Sequence, residues 1–86
     1  MDYCVITFES TQGAILAQKL LEGVCPVQVM PVLREISKGC GISVRFAPEH
    51  LDAVRTALAS SPLSPGEYGF YGVTGGGKTL STRPLS

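Results

Sequence analysis

The sequence predicts one α+β domain of the ferredoxin-like kind, a four-stranded antiparallel sheet with two helices on one face in the order β-α-β-β-α-β. Three observations predict it. Four short segments, three of them bounded by Gly, Pro or Ser, read as strands. Between the first and second, and again between the third and fourth, the apolar period lengthens to that of an amphipathic helix. The chain has 86 residues, room for one such unit. Residues 1–73 are expected to form the domain, with 74–86 as a flexible glycine-rich C-terminal tail.

In the first segment Cys4, Ile6 and Phe8 alternate with Tyr3, Val5 and Thr7, which is a strand with its more apolar side inward. Next, Gly13, Leu16, Ala17, Leu20, Leu21 and Val24 share one helical face, away from Gln18, Lys19 and Glu22. Ser10 or Thr11 can cap its start, and Gly23 with Pro26 ends it. Val27 to Met30 reads as a second strand closed by Pro31. Ile42, Val44 and Phe46 alternate with Ser43 and Arg45 in a third strand with one buried side. Pro48 suits the first position of a second helix, which turns Leu51, Val54, Ala57 and Leu58 inward. Tyr68 to Val73 completes the set, at a sheet edge because Gly69 interrupts it.

Composition excludes several classes of function. Lys plus Arg equals Asp plus Glu, so the formal net charge is zero. That argues against nucleic acid or an anionic membrane surface as a partner held by charge. No apolar run approaches the ~20 residues of a membrane span, and Met1-Asp2-Tyr3 does not open a signal peptide. Three cysteines with His50 fit neither a disulfide framework nor a zinc pattern. Reduced thiols, a cytoplasmic location, no metal and no cofactor are the expectation.

Gly72-Val73-Thr74-Gly75-Gly76-Gly77-Lys78-Thr79 satisfies the G-x-x-x-x-G-K-[ST] pattern of a phosphate-binding loop. Such a loop must open a helix whose N-terminus faces the phosphates, and the short polar segment after Thr79 cannot supply one. No nucleotide is expected there.

The connection between the second and third strands has a chemical character of its own. Gly39 and Gly41 flank Cys40 and allow positive φ and close approach. Arg34 and Lys38 are near enough in sequence to stabilise a thiolate, and the Ser37 hydroxyl could donate to the same sulfur. The same residues also fit a small inert thiol at the start of a strand; exposure and pKa decide between the two. His50 reads as a polar residue in the first turn of a helix. Arg45 faces solvent or a dimer partner.

The chain resembles the selenium/sulfur carrier protein-like family, small bacterial domains, from about Tyr3 to Tyr71. The resemblance rests on Val5-Ile6-Thr7-Phe8 with Ser10-Thr11, on Met30-Pro31, on Arg34-Glu35-Ile36-Ser37, and on Cys40-Gly41 leading into Val44-Arg45-Phe46. Leu33 stands where family members often carry a second proline. The resemblance implies that Cys40 holds sulfur or selenium as a persulfide or selenosulfide, with Arg34 as the nearby cation, between donor and acceptor proteins.

Two readings of function are carried forward. One is a carrier or thiol-dependent accessory protein that uses Cys40. The other is a non-enzymatic binding or regulatory module that acts as an oligomer, such as a homodimer. An RNA-binding sheet ranks below both, because Ile42 to Arg45 offer no aromatic residue for stacking bases. No general base accompanies the thiol, so independent catalytic activity is not expected.

Overall fold

The computed structural model describes residues 1–33, 36, 41–75 and 80–85. In chain order it contains β1 (Tyr3–Phe8), α1 (Thr11–Leu21), β2 (Gln28–Pro31), β3 (Ile42–Phe46), α2 (Leu51–Ala59), β4 (Tyr68–Thr74) and β5 (Ser81–Pro84). A short 3-10 turn at Pro48–His50 leads directly into α2, and another at Pro65–Glu67 precedes β4. All pairings are antiparallel, in the strand order β2-β3-β1-β4-β5.

The sheet therefore has five strands, not the four expected. The fifth lies inside the stretch assigned to a tail, and its anchors explain why so polar a segment is ordered. Thr82 and Arg83 pair with Val73 and Gly72, and the Leu85 amide donates to the Phe70 carbonyl at 2.9 Å. The Leu85 side chain packs on the main core, while the Arg55 guanidinium donates to its carbonyl. A partner strand and one leucine offset the ordering cost that the segment's own composition could not. One further expectation changes with it: β4 is an interior strand between β1 and β5, and Gly69 sits opposite Thr7 within the ladder.

The buried stripe of α1 is rotated from the predicted one. Gly13, Ala14, Ala17 and Leu21 are buried, whereas Leu16 is 39% exposed and Leu20 and Val24 are similarly open. At about 100° per residue, positions 14, 21, 17 and 13 share one arc and 20 and 16 fall beyond its Gly13 edge, while Val24 lies past the end of α1 at Leu21. Small side chains along the inner line let the helix lie close, so the leucines beside it are left outside. Ser10 is the cap, its Oγ accepting from the Gly13 amide at 3.1 Å.

Both faces of the sheet are covered. Cys4, Ile6, Phe8, Val44, Phe46 and Phe70 point toward the helices and meet Ala17, Leu21, Val54 and Leu58 in the main core. On the opposite face Val5 and Val73 are fully buried, under Ile36 and beside Met30, Val32, Leu33, Tyr71 and Leu80. Ser43, expected on an open polar face, is 0% exposed. Its hydroxyl lies 3.3 Å from the Met30 carbonyl and 3.4 Å from that of Pro31, and it has one proton to share between them.

The first four residues of the phosphate-loop pattern are described. Gly72 and Thr74 belong to β4, and a Cβ on Gly72 would lie 2.7 Å from Met1 Sδ. Gly75 leaves the strand with φ 99, its amide donating to Asp2 Oδ2 at 2.8 Å. Gly76 to Thr79 lie outside the described residues, and from Ser81 the chain runs as the extended strand β5, not as the helix that follows a phosphate loop.

Candidate functional site

The candidate site is the connection from β2 to β3. Its two ends are brought together by the sheet: Pro31 stands opposite Ile42, and one step further the Val32 amide donates to the Gly41 carbonyl at 3.1 Å. Its middle is pinned too. Ile36 is 9% exposed and rests on Val5 and Val73, and its amide donates to the Leu33 carbonyl at 3.0 Å. Ile36, with Val32 and Leu33, therefore covers that face of the sheet.

Of the expected site residues, Arg34, Ser37, Lys38, Gly39 and Cys40 lie outside the described residues. Gly41 is described, exposed and not in the positive-φ region, and a Cβ there would meet no atom within 4 Å. The conformational licence expected of Gly41 is thus not what its backbone uses.

The other two thiols are buried. Cys4 is fully buried in the main core, its Sγ 3.5 Å from Met1 Sδ. Burial is the largest influence on it and pushes its pKa up, against the pull of Arg55 and the N-terminal amine. Cys25 follows α1, 8% exposed, with its amide on the Leu21 carbonyl, and burial raises its thiol as well. A thiol in that state stays protonated near neutral pH and is a poor nucleophile.

Sequence reasoning misses Ile36 as an anchor, although a signal exists. It is an isolated aliphatic residue in a charged connection, preceded by Val32 and Leu33, and a connection exposed throughout has no use for three such side chains. Leu80 gives the same signal at the far end of the glycines.

A second concavity lies at the other end of β3. A cleft of about 350 Å³ is lined by Asp2, Tyr3, Gln28, Arg45 and His50, with Pro26, Val27, Phe46 and Ala47 as its apolar walls. The Arg45 guanidinium carbon sits 4.1 Å from the centroid of the Tyr3 ring. Among the described residues no group of three or more His, Cys, Asp and Glu side chains gathers to hold a metal ion. Nor is any helix among them long and apolar enough to cross a membrane.

A family model described as "Putative Se/S carrier protein-like" matches residues 3–68. No curated protein and no solved structure matches the chain.

Proposed function

Because the chain belongs to the Se/S carrier protein-like family, we propose that it carries a sulfur or selenium atom on Cys40, between a donor and an acceptor protein. The observation that supports this reading is the state of the other two cysteines. Cys4 and Cys25 are buried with raised thiol pKa values, so neither competes for the role that this reading gives Cys40. The same reading takes the first four strands, in the order β2-β3-β1-β4 with a helix in each crossover, as a ferredoxin-like unit to which β5 has been added.

The transfer is thiol exchange without net redox change. The Cys40 thiolate attacks the outer sulfur of a donor persulfide, R–S–SH. The donor S–S bond breaks, the Cys40 S–S bond forms, and R–S⁻ leaves. A selenosulfide donor transfers selenium by the same bookkeeping. Arg34 and Lys38 favour the thiolate that begins the step, and Ser37 can donate to the sulfur. The reaction requires a reducing compartment, where thiols remain unpaired.

Peptide-resolved mass spectrometry tests it. Glutathione persulfide should add one sulfur atom to Cys40 and none to Cys4 or Cys25 in the folded protein. Arg34→Ala should slow both that loading and Cys40 alkylation near neutral pH. If Cys40 reacts no faster than an ordinary thiol, or reacts only after unfolding, the carrier reading fails and the binding-module reading takes its place.

A further inference from the structure

The cleft beside Tyr3 has three features that the carrier reading does not use. Arg45, Gln28 and His50 present hydrogen-bonding side chains to it, and among the described residues none of the three makes a side-chain hydrogen bond or ion pair. The acid at its rim, Asp2, already accepts from the Gly75 amide. Gln28 and Arg45 are exposed and His50 is half-buried, so all three are open to a ligand entering the cleft from solvent.

The arrangement also selects a ligand class. Gln28 and Arg45 stand opposite each other in the β2–β3 ladder, so an amide and a guanidinium project side by side. A guanidinium stacked over an aromatic ring keeps its in-plane N–H groups free, and their fork matches the two oxygens of a carboxylate or phosphate. Pro26, Val27 and Phe46 add an apolar wall that a bare inorganic ion would not fill.

We propose that this cleft is a binding site for a small organic oxyanion. Its carboxylate or phosphate group lies on Arg45 and Gln28, and its apolar portion lies against Pro26 and Val27. The cleft lies at the Phe46 end of β3, four strand positions, or about 13 Å, from Ile42 at the end where the β2–β3 connection rejoins the sheet. Ligand binding is read without persulfide, so it stands or falls independently of persulfide loading.

Titrations followed by amide chemical shifts on the full chain test it, with isobutyrate and inorganic phosphate as oxyanion probes and isobutyramide as the neutral control. At least one anion should give saturable shifts at Tyr3, Gln28, Arg45, Ala47 and His50, with a Kd of about 1 mM or below. Isobutyramide should not. Arg45→Ala should weaken binding at least about tenfold, and Arg45→Lys should restore only part of it, because a lysine keeps the charge and loses the fork. Saturation by isobutyrate assigns the site to carboxylates, and by phosphate alone to phosphate esters. Absence of saturable shifts with either anion overturns the proposal. So do shifts that persist unchanged in an Arg45→Ala protein whose spectrum is otherwise native.

Discussion

Ile36→Ala tests whether the β2–β3 connection is part of the core. Ile36 is 9% exposed and packs on the fully buried Val5 and Val73. The substitution removes three side-chain carbons at about 0.8 kcal/mol each, and any cavity left behind adds to that. Partial settling of the connection offsets part of the cavity, so the expected loss is about 2–3 kcal/mol. A chain of this length has a total stability of about 4–13 kcal/mol, so the loss is a large share of it. Urea unfolding followed by far-UV circular dichroism should show the midpoint falling with little change in slope, and the melting temperature should drop by about 10–20 °C. Ile36→Val should lie between, at about 1 kcal/mol. A loss below about 0.5 kcal/mol for the alanine variant would be that of a surface residue, and the account of a covered second face would be wrong.

Two further predictions concern the thiols and the glycines. Folding raises the Cys4 and Cys25 thiols above their ordinary value of 9.0, so the unfolded chain gives up those protons first as pH rises. The resulting stabilisation is present in full below the unfolded value and is lost as pH climbs through the folded ones. The urea midpoint should therefore decline from about pH 9 upward, with a shallower decline in Cys4→Ala. Equal slopes in the two proteins would remove Cys4 from that account. Gly75→Ala, at φ 99, should cost about 1–2 kcal/mol. Gly41→Ala, with open space around its Cβ and no positive φ, should change stability by less than about 0.5 kcal/mol. Equal effects at the two positions would contradict the backbone described.

Much of the fold is legible in the chain because periodicity carries it. β1, β3 and α2 follow from alternation and from the spacing of Leu51, Val54 and Leu58, since each faces the main core on the side that its apolar residues predict. The errors have a common physical origin. Periodicity places Gly13, Ala17 and Leu21 correctly in α1 but extends the stripe to Leu16 and Leu20 because it weighs leucine above alanine, whereas close packing on the sheet selects Ala14. β5 is illegible because its order comes from pairing with β4 and from Leu85, and neither depends on the strand's own pattern. Alternation puts Ser43 in solvent because nothing local to β3 announces that this side of the strand is buried as well.

The candidate site divides in the same way. Elimination of Cys4 is legible, since it lies on the apolar side of an alternating strand. The oxyanion cleft is not, because its residues come from the ends of β1, β2 and β3 and the turn before α2, far apart in sequence.

Pinning of the β2–β3 connection at its ends and at Ile36 has a consequence for delivery. Cys40 is one peptide bond from Gly41, whose carbonyl is held by Val32, and four from the buried Ile36. On the carrier reading so short a tether leaves no length of chain for a swinging arm, and the cargo would travel only as far as the whole domain diffuses. On the carrier reading, donor and acceptor must visit the same patch of surface in turn and exclude each other while bound. Such a protein works as a shuttle with one berth: an excess of acceptor should inhibit loading, and an excess of donor should inhibit unloading.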